Sequence, residues 1–199
     1  MTTTEKLPVV TRADWVPGPR QGQWTYDDYT ALPDDGKRYE VVNGVLYMAP
    51  SPSGAHQDAA LRFAHYLLVN VEFAGLGKVR VAPFDVVLSP KNVVQPDVLV
   101  ILNANLEKVQ DLCMIGAPDL VVEIASPGTA IHDRNKKYYA YAQAEVPEYW
   151  IADPGTQTVE VLVLEASEYY SLGVFRGQET LPSRVAPGIA EVHVEQFFA

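Results

Sequence analysis

GAPDLVVEIASPGTAIHDRNKKYYAYAQAEVPEYWIADP, residues Gly116 to Pro154, is the stretch that decides the fold. It reads as an apolar strand (Leu120–Ile124), a turn (Ser126-Pro127-Gly128), a polar-to-aromatic helix and a second apolar strand (Tyr149–Ala152). One acid, Glu123, stands inside the first strand, where its neighbours are Leu, Val and Ile. A carboxylate in a buried strand needs a partner, a proton or a metal to offset its desolvation. The helix offers one partner. Asp133, Lys137 and Tyr141 follow each other at i, i+4, i+8, so they share one helical face. A helix that follows a strand packs back on the sheet, and its first turns face the strand's carboxyl end. Lys137 is therefore expected near Glu123, with a surface Asp133–Lys137 pair as the alternative.

The rest of the chain has the make-up of a folded domain. It has 199 residues, 48% hydrophobic and 20% charged, with 11 tyrosines. That length supports one domain with a real core, and that composition is not one of a disordered chain. The net charge of −10 argues against a protein that coats nucleic acid, which needs a broad basic surface. It leaves room for a metal-dependent nuclease, where cations bring an anionic phosphate to clustered carboxylates and a local basic rim can sit within an acidic total. Cys113 is the single cysteine, so an intrachain disulfide or a cysteine zinc cluster is excluded. The start, MTTTEKLPVV, does not read as a signal peptide. No apolar run approaches the ~18 residues of a membrane span. A cytoplasmic location and no membrane partner are the expectation.

Residues 1–23, rich in Thr, Pro, Gly and Arg, read as an N-terminal arm, and 24–199 as a single domain. Thr25-Tyr26-Asp27-Asp28 has the form of a capping box, opening a short helix to about Leu32. Asn43-Gly44 between Tyr39–Val42 and Val45–Met48 predicts a hairpin, because the type I′ turn needs positive φ at both central positions. From His56 to Phe73 the spacing of Ala60, Leu61, Ala64, Leu67, Leu68 and Val71 predicts a helix with that face on a sheet. Strands are expected at 79–81, 84–88, 94–101, 157–165, 169–175 and 191–194. The near-continuous apolar run at 94–101 predicts burial on both faces. Mixed strands with helices on both sides define an α/β or α+β fold.

The chemistry centres on two acids. Asp97 lies in VVQPDVLVIL and Glu123 in PDLVVEIAS, and acids are rarely fully buried unless paired. Adjacent strands lie ~5 Å apart, so if these two pair, both carboxylates reach one cation. Hard oxygen ligands of this kind suit magnesium. The alternative for each acid alone is a strand end facing solvent, or a pairing with an arginine. Lys137 would then steer or activate a water, or neutralise charge in the transition state; Lys136 beside it reads as a solvated lysine. Glu40, on the first hairpin strand, is a candidate third acid, with a surface pair to Arg38 or Lys37 as the alternative. His56 opens the first long helix and is a candidate phosphate contact or orienting group; its alternative is a structural hydrogen bond. No phosphate-binding glycine loop, G-x-S-x-G elbow or H-E-x-x-H helix is present.

Taken together, these pieces resemble a known pattern. Pro96-Asp97, Glu123 and a following lysine resemble the PD-(D/E)XK nuclease superfamily. Tyr39–Leu46, Ser51–His56, Gln95-Pro96-Asp97, Ala117–Pro127, Asp133…Lys137…Tyr141 and Val146–Pro154 resemble, more narrowly, a family of small bacterial proteins described as putative restriction endonucleases. The resemblance runs from about Trp24 to Leu164. It implies a restriction-endonuclease-like core with a mixed central sheet flanked by helices, an N-terminal hairpin and extra C-terminal strands. It implies hydrolysis of DNA phosphodiester bonds with Mg2+ or Mn2+ held by Asp97, Glu123 and the backbone carbonyl of Ile124. Glu40 would be a supporting acid, and His56 and Tyr141 substrate-side residues. In the superfamily the lysine stands two residues after the second acid; here that position is Ala125, and Lys137 on the helix is the matching residue. Glu145 also stands where the family pattern has a glycine, which concerns the helix end. A homodimer fits an enzyme that cuts both strands. A catalytically inactive binding module on the same fold, and a nuclease acting on RNA, are the readings that stay open.

Overall fold

The computed structural model describes residues 10–125 and 136–199. The first sheet is six-stranded. It takes β1 (Thr11–Arg12), β2 (Arg38–Val42), β3 (Val45–Ala49), β5 (Asp85–Ser89), β6 (Asn92–Val94) and β8 (Cys113–Ile115) in the order β1-β3-β2-β6-β5-β8. The second, also six-stranded, is built from β4 (Gly77–Val81), β7 (Val98–Leu102), β9 (Leu120–Ile124), β10 (Glu148–Asp153), β11 (Thr158–Glu165) and β12 (Glu168–Arg176), ordered β12-β11-β10-β9-β7-β4. Among the described residues the α-helices that accompany them are α1 (Tyr26–Thr30), α2 (Gly54–Leu67) and α3 (Tyr138–Gln143).

Within Gly116–Pro154, β9 and β10 are adjacent and parallel, with Glu123 level with Ile151. Parallel neighbours need a crossover, and the segment carrying α3 supplies it. The second sheet is covered on both faces. On one, Phe63, Leu67 and Val71 pack on Val98, Val100, Leu120, Val122 and Trp150. On the other, Leu99, Val121 and Tyr149 meet Ala140 and Tyr141 of α3 together with Val42, Tyr47 and Val86 of the first sheet. The continuous apolar character of β7 and β9 follows from this double burial.

Local signals hold where the chemistry is local. Thr25 and Asp28 close the capping box of α1 reciprocally. Asn43 and Gly44 both have positive φ, 52° and 70°, and a Cβ on Gly44 would stand 2.5 Å from the Gly22 carbonyl oxygen. Only glycine admits that approach. The same contact zone stitches residues 10–24 to the first sheet: Thr11 pairs with Met48, the Gly44 carbonyl accepts from the Gly22 and Trp24 N–H groups, and Trp24 is buried.

Long-range packing overrides several sequence expectations. The run 94–101 is not one strand. It is β6 and β7, which belong to different sheets, because Gln95-Pro96-Asp97 breaks the ladder where proline has no N–H to donate and carries the chain between the layers. The long helix turns its Ala59-Phe63-Leu67-Val71 side to the core, while Leu61 is 72% exposed. Of the expected face, Ala64, Leu67 and Val71 are buried and Ala60 and Leu68 pack on the same core, so only Leu61 at its edge turns to solvent, while Phe63 on the other edge is covered. The helix is regular to Leu67 and continues to Glu72 as a wide, π-type turn. The segment 191–194 forms no strand. It lies between two short 3₁₀ turns and keeps only an isolated bridge between Thr180 and His193. Burial of Val192 and Val194 and the Val194 N–H bond to the Glu179 carbonyl hold it, while the chain leading to it is anchored by Glu148, almost fully buried, whose carboxylate accepts from the Trp150 indole N–H at 2.7 Å and the Arg184 backbone N–H at 3.1 Å.

The end of α3 holds a backbone conformation that suits glycine. Glu145 follows the C-cap Ala144 with φ of 63°, a left-handed conformation that a side chain disfavours. Replacing Glu145→Gly is expected to stabilise the fold by roughly 0.5–1 kcal/mol, read as a raised urea midpoint with unchanged slope.

Candidate active site

Each acid arrives on a different element. Glu40 lies on β2, where the Asn43-Gly44 turn fixes the register Glu40↔Tyr47 with β3 and turns Arg38, Glu40 and Val42 to one side. Glu123 is the fourth residue of β9. Because β7 and β9 pair antiparallel with Val98 level with Val122, Asp97 falls one step beyond the ladder, across from Glu123. Its carboxylate takes over from the missing ladder: Asp97 Oδ2 accepts the Ile124 N–H at 2.8 Å. The same oxygen meets His56 Nε2 at 3.1 Å. His56 stands in the first turn of α2, whose Ser53 N-cap accepts from the His56 backbone N–H. Its Nδ1 is buried without a partner among the described residues.

Lys137 joins the two sheets. It immediately precedes α3, is 5% exposed, and donates to Glu40 Oε1 at 2.9 Å and Glu123 Oε1 at 3.0 Å. One turn on, the Tyr141 hydroxyl donates to the same Glu123 oxygen at 2.5 Å. The spacing of Lys137 and Tyr141 thus does what one helical face implies. Asp133 lies outside the described residues. Glu40 Oε1 also accepts the Gln95 backbone N–H at 2.7 Å, so the break between β6 and β7 supports one acid and supplies the next. Burial and the neighbouring charge of Glu123 push the Tyr141 phenol well above its ordinary range.

The donor set suits a hard cation. The Ala125 N–H goes to the Ala152 carbonyl on β10. A trans peptide sets its C=O opposite its N–H, so the Ile124 carbonyl faces the Asp97 side. Two carboxylates and a carbonyl are oxygen ligands of the kind magnesium accepts, the remaining positions falling to water and phosphate. Among the described residues no three His, Cys, Asp or Glu side chains gather into a cage. A fully protein-built site is therefore not what this geometry offers.

Sequence reasoning named Glu40, Asp97, Glu123, Lys137, Tyr141 and His56 as candidates; the structure joins Glu40, Glu123 and Tyr141 through Lys137 and the Glu123 carboxylate, with Asp97 and His56 paired beside them. It missed what lies around them. Gln95 is anchored through its side chain, accepting from Arg38 Nε at 3.1 Å and donating to Asp85 at 2.8 Å, while Tyr29 donates to the same Asp85 oxygen at 2.8 Å. Lys136, read as solvated, is exposed along its length yet donates to the Tyr47 hydroxyl at 2.5 Å. The contacts of Gln95 with Arg38, Tyr29 with Asp85 and Lys136 with Tyr47 have no signature in spacing, since each joins residues more than fifty positions apart. Arg38 and Lys37, the partners weighed for Glu40, go instead to Gln95 and Asp35.

Two packed mixed sheets and a parallel β9–β10 crossover define the class: a restriction-endonuclease-like fold. The same architecture is seen in a crystal structure described as a putative nuclease belonging to DUF820 from Anabaena variabilis ATCC 29413, at a TM-score of 0.72 and 20% identity, over 87% of this chain and 97% of that one. The chain belongs to the Uma2 family, described as "Putative restriction endonuclease", whose model matches residues 26–195. No curated protein sequence matches. No helix among the described residues is long and apolar enough to cross a membrane.

The buried phenols carry a pH signature. Burial raises Tyr29, Tyr141 and Tyr169 above the ordinary value, which is about 10. A raised folded pKa means the unfolded chain loses its protons first. The stability is then fully present below about pH 10 and declines as pH rises beyond it. Urea midpoints measured across the alkaline range are expected to fall, and to fall less steeply in Tyr141→Phe.

Proposed function

We propose that this protein is a magnesium-dependent endonuclease that hydrolyses DNA phosphodiester bonds. The observation that carries the reading is the seat of Lys137. The superfamily position for the catalytic lysine is Ala125, yet an ammonium reaches Glu123 from the helix, held at 3.0 Å. A lysine turned to solvent would have favoured the inactive binding module; a lysine buried between two acids supports catalysis.

Asp97, Glu123 and the Ile124 carbonyl would hold the ion, Mg2+ or Mn2+. When bound, the ion supplies a lowered pKa for a coordinated water and charge stabilisation on the scissile phosphate. The chain's own groups do the rest. Lys137 orients the attacking water or the phosphate. Glu40 and Glu123 fix the ammonium from two sides. The Tyr141 hydroxyl holds the Glu123 carboxylate in one rotamer. His56 and the Ile124 N–H both hold Asp97 through Oδ2, which would leave Oδ1 for an ion.

Two measurements test this. Supercoiled plasmid incubated with purified protein and magnesium is expected to be nicked by the wild type and left intact by Asp97→Ala and Glu123→Ala; equal nicking by either variant would sink the assignment. An RNA strand of matching length, run in parallel, decides between the two polymers. Independently, magnesium is expected to raise the melting temperature. The gain corresponds to about 2.7 kcal/mol at a hundredfold excess over Kd, and it should vanish in Glu123→Ala. A wild-type melt indifferent to magnesium and manganese would remove the metal from the proposal.

A further inference from the structure

The acids create a problem for the proposed substrate. Glu40, Glu123 and Asp97 face Lys137 and His56, in a chain of net charge −10. Even a dication leaves little surplus charge to draw in a phosphodiester backbone, whose binding is mainly electrostatic. Cations must wait at the mouth of the site, uncommitted to carboxylates.

Two side chains meet that description. Lys136 and Arg38 form no ion pair among the described residues. Lys136 rests on a neutral acceptor, the Tyr47 hydroxyl, at 2.5 Å. Its ammonium is 4.6 Å from the Tyr47 ring centroid, a distance consistent with a seat at the hydroxyl end of the ring. Arg38 Nε rests on another neutral acceptor, the Gln95 amide oxygen, at 3.1 Å. Both are placed by the register around Glu40. Tyr47 is directly across the hairpin from Glu40, where opposed side chains lie about 5 Å apart. Arg38 is two residues along β2 on the same face. Lys136 also adjoins Lys137, which points inward while Lys136 stays exposed. Gln95 is in turn clamped by Asp85 and hands its backbone N–H to Glu40. The arginine therefore sits on the same support as the acid.

We infer that Lys136 and Arg38 form a phosphate clamp that holds the substrate backbone on either side of the Glu40–Lys137 centre. The inference rests on the nuclease reading and names the groups that bring its substrate in. Tyr47 and Gln95 act as rests that keep both cations extended toward the strand without neutralising them. Their ligand class is the phosphodiester backbone, so the clamp adds affinity without sequence preference.

The test uses the full chain and a fluorescently labelled DNA duplex. Calcium, a hard cation tolerant of looser coordination, replaces magnesium, and anisotropy is read across a salt series. Lys136→Gln and Arg38→Gln each keep a donor for Tyr47 or Gln95 while removing the charge, so the fold and the rests stay in place. Each is expected to reduce the slope of log K against log salt by about one, and the double variant by about two, with affinity lost evenly across unrelated sequences. Lys136→Arg is expected to keep the wild-type slope. A wild-type slope in both glutamine variants, on a protein that still binds and nicks, overturns the clamp alone. A wild type that neither binds nor nicks DNA or RNA overturns the nuclease reading and the clamp with it.

Discussion

Lys137 is the point on which the two halves of the molecule meet. Its ammonium lies between Glu40 of the first sheet and Glu123 of the second, almost wholly out of solvent. A buried carboxylate is costly unless paired, and a buried ammonium equally so. The arrangement therefore makes the packing of one sheet on the other a condition for satisfying the charges. If β2 slipped by one residue, Glu40 would turn to the opposite face and the lysine would lose half its compensation.

The break between β6 and β7 does complementary work. Gln95-Pro96-Asp97 passes from one sheet to the other, and its side chains and the Gln95 N–H are all engaged. The Gln95 N–H supports Glu40, its side chain meets Arg38 and Asp85, and Asp97 accepts the β9 N–H that has lost its strand partner. Proline between them has no N–H to give to either ladder. The proposed metal ligands thus sit where regular backbone pairing ends, next to a rigid, doubly buried ladder. That is where a side chain can be both free to ligate and firmly held.

How much of this was legible beforehand depended on the range of the interaction. Glu123 was identifiable because an acid among Val, Leu and Ile is anomalous within five residues. Lys137 and Tyr141 followed from helical spacing. Asp97 was found by the same anomaly, yet its strand was read through Pro96 as continuous, because apolar character does not show which sheet a residue joins. The edge of the buried face of α2 has the same origin: Leu61 and Phe63 are equally apolar in sequence, and only the position of the sheet decides which is covered. Lys136 looked like its neighbours in any surface helix until Tyr47 was seen to receive it.

The sequence by itself determined the local grammar: the Thr25–Asp28 cap, the Asn43-Gly44 turn, the β9–α3–β10 unit and the few polar residues that do not belong in an apolar strand. Those features depend on propensities and periods that act over a handful of residues. Tertiary structure alone decided that there are two sheets and that Glu40 and Glu123 share one lysine. It also decided that Glu145 carries a left-handed conformation and that Arg38 turns to Gln95 instead of an acid. Each is settled by which surfaces meet once the chain closes on itself, and by the need to pair every charge that this closure removes from water.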